Sequence, residues 1–289
     1  MDKLTKKEFW ESQYKERLSK KGRHVHKSLL KSLFRTLVGS KAIEYAECYE
    51  DYLLWDVIYE KYFPKIKATK LLEVGSAPGN NLLKFHQRFG FIPYGVEYSV
   101  SGVELNRKVF ISNGIDPDNV IHADFFSHDF QEEYKGYFNF VVSNGFIEHF
   151  SNVHEVVEKH INLLSDGGYL IINIPNFKGL SNILKRLFDR ESLSIHNLNI
   201  MEREEFSKLF NKDPLFPLFC DYSGTFNLTL PSSIAEGHSN MSRAIKIMHL
   251  AVMNILNVSL RLSFKDTGAE NKFFSTNLTY IGLKNKHCN

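Results

Sequence analysis

The sequence predicts an α/β fold, a parallel sheet whose strands are joined by crossover helices. Three observations predict it. The stretch Leu71 to Asn81, LLEVGSAPGNN, runs from short apolar residues to an acid, then to small residues at every second position, Gly75, Ala77 and Gly79. An amphipathic run, Asn81 to Phe89, follows directly, so the stretch reads as a buried strand, a tight turn and a helix start with free amides. The same alternation then continues down the chain. Finally, the polar residues that could carry chemistry fall at strand ends, where ligands of such sheets bind.

The elements follow in order. Residues 5–20 and 26–38 read as helices, the second with Leu29, Leu30, Leu33, Phe34, Leu37 and Val38 on one face and Lys27, Lys31 and Arg35 on the other. Such a basic amphipathic helix packs on its own domain as a lid or dimer element, or lies on a membrane. Residues 47–63 form a third helical pattern, rich in Tyr and centred on Trp55, stopped by Pro64. Its aromatic residues serve packing or a lid over the substrate. The strands are expected at Lys70–Val74, Phe91–Glu97, Val120–Ala123, Tyr137–Ser143 and Tyr169–Ile174, with helices near 80–89, 100–113 and 152–164. Beyond Pro175 a connection runs to about residue 200 and a helix follows at 202–210. Two late strands are expected at 216–228 and 273–283. An insertion at about 231–262 separates them. Its helix has an uncharged run of 14 residues, Ile247 to Leu260, short of the roughly 20 a membrane span needs. It reads as a buried cap or dimerisation helix. The chain divides into a basic helical arm or lid, 1–66, and a catalytic-type domain, 67–289.

Size and charge narrow the function. The 289 residues suffice for one α/β domain of roughly 200 residues with additions. Cys48, Cys220 and Cys288 are odd in number and far apart, which excludes metal or disulfide spacing and points to a reducing cytoplasm. The charged N-terminus lacks an apolar signal core. Residues 1–41 hold 12 Lys or Arg against 4 Asp or Glu, net +8, so the rest of the chain carries −5. A basic arm meets phosphates, nucleic acid or an anionic membrane, or is simply a solvated face.

The spacing of the glycine turn is informative. A dinucleotide fingerprint wants glycines at its first, third and sixth positions. Here those are Gly75, Ala77 and Asn80, and Gly79 comes one residue early. With Glu73 two residues before Gly75, the stretch resembles motif I of the class I, Rossmann-like S-adenosylmethionine (SAM) methyltransferases, apolar-apolar-[Asp/Glu]-x-Gly-x-Gly-x-Gly, with Ala77 at the middle glycine. Ser143 to Phe150, SNGFIEHF, resembles the family's segment after strand four, and LLSDGGYLIINIPN its Gly-Gly turn and fifth strand. These segments span about residues 70–176. The resemblance implies a doubly wound seven-stranded sheet with an antiparallel last strand, and SAM as cofactor with S-adenosylhomocysteine as product.

An acid closing strand two can accept both ribose hydroxyls, and Glu97 stands there, 18 residues after Gly79. Asp124 can accept from the adenine amino group while Phe125 packs on the ring, or it caps the next helix. The resemblance assigns these the ribose and adenine positions. The expected cofactor set is Glu73, Gly75, Ser76, Ala77, Gly79, Asn80, Glu97, Tyr98, Asp124, Phe125, Asn144 and Gly145.

Methyl transfer from a sulfonium needs alignment above all, and a base when the acceptor is a neutral hydroxyl. His149, at the mouth of strand four, and His196, in SIHNLNIMEREEF, are the two candidate bases; a structural role is the alternative for each. Nucleobase methylation is disfavoured, because Asn144-Gly145-Phe146 lacks the Asn-Pro-Pro-aromatic turn. The arm also lacks the Arg and aromatic pattern of an RNA module. The segment 143–150 is similar to that of ubiquinone-type O-methyltransferases, some of which hold a metal through Glu-x-x-Glu-His. The first Glu is missing here, so no metal is expected. The resemblance points to O-methylation of a small sugar-like or anionic, phosphate- or nucleotide-linked acceptor, as in bacterial surface-polysaccharide pathways. A membrane-docked lipid-quinone methyltransferase and a non-catalytic SAM-binding protein are the alternatives. No membrane-spanning segment is expected, while peripheral contact and a homodimer stay open.

Overall fold

The computed structural model describes residues 3–19, 48–66, 68–211, 213–227, 230 and 239–285. The basic helix expected at 26–38 lies outside the described residues. Seven strands form one sheet in the order β3-β2-β1-β4-β5-β7-β6. They are β1 (Lys70–Val74), β2 (Ile92–Glu97), β3 (Val120–His122), β4 (Phe138–Asn144), β5 (Leu164–Pro175), β6 (Leu215–Ser223) and β7 (Asn277–Lys284). The first five pair in parallel, and β7 lies antiparallel between β5 and β6. The order reverses between β1 and β4, whose carboxyl ends therefore open a crevice.

Alternation along the strands explains the double-sided core. Leu72, Val141, Ile172 and Tyr280 point to one face. Their neighbours Leu71, Phe140, Ile171 and Ile281 point to the other. The helices are α1 (Lys7–Ser19), α2 (Tyr49–Tyr52), α3 (Tyr59–Tyr62), α4 (Asn80–Phe89), α5 (Val100–Ser112), α6 (His128–Glu133), α7 (Val153–Leu163), α8 (Gly179–Phe188), α9 (Arg190–Ser194), α10 (Arg203–Lys208) and α11 (Asn240–Phe264). A π-helical segment, Leu53–Ile58, joins α2 to α3. Its aromatic residues are mostly packing. Trp55 and Tyr59 sit 4.6 and 5.6 Å, centroid to centroid, from Phe85 of α4.

Several elements differ from the sequence reading. Strand β5 starts five residues early, because a register shift between Phe138 and Phe140 takes up the Gly-Gly turn within the pairing. Strand β7 starts late, because Asn271 Oδ1 accepts from the amides of Phe273 and Phe274 and holds a turn there. The connection after Pro175 contains α8 and α9, and α8 buries none of its residues. The inserted helix α11 is not a buried cap within this chain. It buries Met253, Asn257 and Arg261 and leaves Ile247 70%, Leu250 62% and Ile255 69% exposed. Asn257 Oδ1 accepts from the amide of Tyr49, and the Arg261 guanidinium covers the ring of Tyr52.

Candidate active site

The turn after β1 is held by its own packing. The amide of Gly75 donates to Val96 O at 3.0 Å, which ties the turn to β2. Gly75 (φ +70°) and Gly79 (φ +95°) take left-handed conformations that a side chain resists. A Cβ on Gly75 would also meet the Phe146 ring at 2.9 Å. Ser76 is buried, and its hydroxyl accepts from Asn106 Nδ2 of α5 at 2.6 Å.

Beyond this turn lies a cavity of about 210 Å³. Gly75, Ala77, Glu97, Tyr98, Asp124, Phe125, Asn144 and Gly145 line it, as does His149. Glu97 is buried, and its Oε1 accepts from the Ser99 amide at 2.8 Å; burial raises its carboxyl above the usual range. Asp124 is exposed and accepts from the Phe126 amide at 3.0 Å, while Ser127 caps the next helix. Four expected cofactor residues stand behind the wall. Ser76 braces α5, and Gly79 and Asn80 start α4. Glu73 accepts from Asn144 Nδ2 at 2.8 Å and Asn81 Nδ2 at 3.1 Å, and burial pushes its carboxyl up to about 7. Asn144 in turn accepts from Asn173 Nδ2 at 2.6 Å, and Asn173 also donates to the Tyr59 hydroxyl at 2.8 Å.

The N-terminal segment closes this cavity, which sequence reasoning assigned to no particular residue. Lys3, Thr5, Trp10, Tyr14 and Arg17 also line it. Glu11 accepts from the hydroxyls of Ser99 and Ser101 at 2.5 and 2.6 Å. Those bonds hold its carboxyl down at about 2 and fasten α1 across the end of β2. The Lys3 ammonium lies 5.0 Å from the Tyr98 ring centroid. The residues fit SAM: a buried carboxylate for ribose hydroxyls, Tyr98, Phe125 and Phe126, with the Lys3 ammonium beside them, for a flat ring, and Asn144 and Arg17 for the charged amino-acid end.

A second cavity of about 380 Å³ adjoins the first, sharing Trp10, Asn144, Gly145 and His149. Leu54, Glu148, Asn173, His196 and Thr279 also line it. The structure thus brings both candidate histidines together, with ring centroids 4.4 Å apart. His149 Nδ1 faces Ile195 O at 3.0 Å and the Thr5 hydroxyl at 2.8 Å. His196 Nδ1 faces Ser192 O. Carbonyl partners place the proton on Nδ1 of each ring and leave Nε2 to accept. Burial, with the neighbouring imidazole, lowers His149 to about 4, and burial lowers His196 too.

Glu148 is the residue that sequence reasoning passed over, although it stands beside His149 in the same turn. It is fully buried, burial pushes its carboxyl up to about 8, and neither oxygen has a hydrogen-bond partner among the described residues. Glu148, His149 and His196 offer ligand atoms within 4.8 Å of one another, a set able to hold a metal ion.

Comparisons with known proteins agree with this geometry. The family model described as a methyltransferase domain matches residues 45–213, more than half of the chain. No curated protein matches it. A geranyl diphosphate methyltransferase in complex with SAM is similar in fold at 16% identity, over 81% of this chain and 84% of that one, with TM-score 0.51. Phosphoethanolamine N-methyltransferase 2 of Haemonchus contortus, in complex with SAM, is similar at 13% identity over 82% of this chain and 53% of that one, also with TM-score 0.51. Neither is described as a ubiquinone-type enzyme, and that nearer resemblance rests on residues 143–150. With a seven-stranded sheet, a glycine turn at the switch point and a fitted cavity beyond it, the chain belongs to the methyltransferase domain family and is a class I SAM-dependent methyltransferase.

Proposed function

We propose that the protein methylates a hydroxyl oxygen of a small, sugar-like acceptor bound in the second cavity, with His149 as general base. One observation carries this reading: His149 lines both cavities, with Nδ1 anchored on Ile195 O. Bound SAM supplies an electrophilic methyl group. Glu97 would hold its ribose, with Asn144 and Arg17 at the amino-acid end. The neutral His149 Nε2 accepts the hydroxyl proton as the oxygen becomes nucleophilic. Asn173, Thr279 and protonated Glu148 offer hydrogen bonds that orient a polyol. Among the described lining residues of this cavity there is no Lys or Arg, so the lining favours a neutral sugar-like head over a phosphate at that place. Trp10 lies in the wall shared by both cavities.

Labelled SAM tests the reading directly, with fractionated cell extract as the acceptor source and the labelled product identified. His149→Asn should lower kcat by about 10²–10⁴-fold while calorimetric SAM affinity stays within twofold. An unchanged kcat would remove His149 from the base role, and a labelled nitrogen or carbon in the product would replace O-methylation.

A further inference from the structure

A third cavity of about 410 Å³ continues from the second, sharing Pro175 and Asn277 with it. Its character changes. Phe177, Leu180, Leu184, Phe188, Phe226 and Phe274 form an apolar wall, and Glu50, Asn227, Thr276, Ser181, Ser275 and the Lys185–Asp189 ion pair form a polar side. The apolar wall does not end inside the protein. Phe188 and Phe274 are 62% and 48% exposed, and Ile183 and Leu187 of α8 are 49% and 68% exposed beside them.

Helix α11 adds an independent observation. It is amphipathic in the reverse sense, since Asn257 and Arg261 face the protein while Ile247, Met248, Leu250, Ile255 and Leu262 face outward. Its contacts are with α2, the helix that supplies Glu50 to the third cavity. By length and composition α11 is the one helix among the described residues apolar enough to cross a membrane. A buried Asn and Arg on one stripe, fastened to α2, suit a helix lying on a bilayer surface instead. Basic residues flank both apolar surfaces, Arg186 in α8 and Arg190 at the start of α9, and Arg243 and Lys246 in the first turns of α11, which suits anionic lipid.

We propose that the acceptor is an amphiphile resident in the membrane. Its hydroxylated head occupies the second cavity. Its hydrocarbon chain runs past Pro175 and Asn277 into the third, with α8 and α11 docked on the lipid surface. This rests on the second cavity being the acceptor site.

Binding of n-alkyl β-D-glucosides, hexyl to nonyl, to the full chain loaded with S-adenosylhomocysteine tests it by calorimetry below the micelle threshold. Each added methylene should tighten binding about three- to fourfold. Leu184→Trp, which fills the cavity, should flatten that dependence and leave SAM affinity within twofold. Should that variant misfold, as judged by circular dichroism, Ser181→Phe obstructs the cavity from its rim. The parent should float with vesicles of phosphatidylcholine and phosphatidylglycerol, and Ile247→Glu with Ile255→Glu should release it. Affinity independent of chain length, or a dependence that survives both cavity variants, overturns the tail cavity. Failure to float overturns delivery from the membrane. Chain-length dependence in a protein that methylates no hydroxyl would overturn the O-methylation reading and leave the tail cavity standing.

Discussion

The cofactor cavity and the acceptor cavity share a wall, yet they are built differently. On the cofactor side polar groups mostly hold one another: Ser76 with Asn106, Glu73 with Asn144 and Asn81, Glu97 with Ser99. Each of these side chains is held through at least one atom, although Glu73 Oε2 and Asn106 Oδ1 have no partner; on the acceptor side Glu148 has neither oxygen partnered among the described residues, and Asn173 Oδ1 has no partner. A buried polar group without a partner costs about 1–3 kcal/mol. The difference is one of anchoring: Glu73, Asn106 and Glu97 are each fixed by hydrogen bonds, while the Glu148 carboxyl is fixed by none among the described residues and is free to answer to a proposed acceptor.

Breaking the braced half should have the largest effect. Gly79→Ala puts a methyl group into the Asn106 side chain and demands a positive φ of alanine. Overpacking and the left-handed conformation together should destabilise by about 2–4 kcal/mol, read as a fall in melting temperature with SAM binding lost alongside. Glu97→Ala should act on the ligand instead. Loss of charged hydrogen bonds to the ribose should weaken SAM by about 1.5–3 kcal/mol, measured by calorimetry, at a nearly unchanged melting temperature. Were Glu97→Ala to bind SAM as the parent does, the cofactor half would be misassigned.

The same contrast explains what could be read in the sequence. Strand β1, its glycine turn and Glu97 lie within 30 residues of chain, and each is fixed by a local rule about turns or strand ends. Hence Gly75, Ala77, Glu97, Asp124 and Phe125, all expected from the sequence, line one cavity, although Glu73, Ser76, Gly79 and Asn80 stand behind its wall and do not line it. The acceptor cavity collects Trp10, Leu54, Glu148, Asn173, His196 and Thr279 from six places in the chain. Only tertiary folding brings them together, and no periodicity marks Glu148 as buried. Helix α11 misled for a related reason. Its apolar content read as burial, whereas Asn257 and Arg261 make the buried stripe.

One buried group from each half should make stability depend on pH with opposite sign. Under the cofactor wall, fully buried His160 packs 4.7 Å from Phe125, and burial lowers it to about 4. Its folded pKa lies below the unfolded value of 6.5, so the unfolded state binds the proton first, and stability falls as pH drops from 6.5 towards 4. The loss should reach about 2 kcal/mol at pH 5, and His160→Leu should flatten that acid slope in denaturant titrations at pH 7 and pH 5. Glu148 has the opposite sign. Its folded pKa of about 8 exceeds the unfolded 4.5, so the folded state holds the proton longer and stability falls as pH rises between these values. Glu148→Gln should therefore raise the melting temperature at pH 8, with little gain at pH 5. Parallel slopes in both variants would mean that the two carry no separate titrations.

The smallest expected effect separates two uses of the unpaired acceptor groups. Glu148, His149 and His196 can answer either to an ion or to the hydroxyls of an acceptor. In the base reading, a neutral His149 takes the proton and protonated Glu148 donates to the acceptor, so no Lewis acid is needed to make the oxygen nucleophilic. Dialysis against EDTA should then leave methyl transfer within twofold of the untreated rate. In the metal reading, Glu148 must ionise to become a ligand, and the same dialysis should abolish transfer until Zn²⁺ or Mn²⁺ is restored. Glu148→Gln sharpens the choice. An amide still donates and accepts hydrogen bonds towards a polyol, so the base reading expects only a modest rise in acceptor KM. Loss of most of kcat in that variant, with rescue by added metal in the parent alone, would move the acceptor half from a hydrogen-bonding pocket to a metal centre.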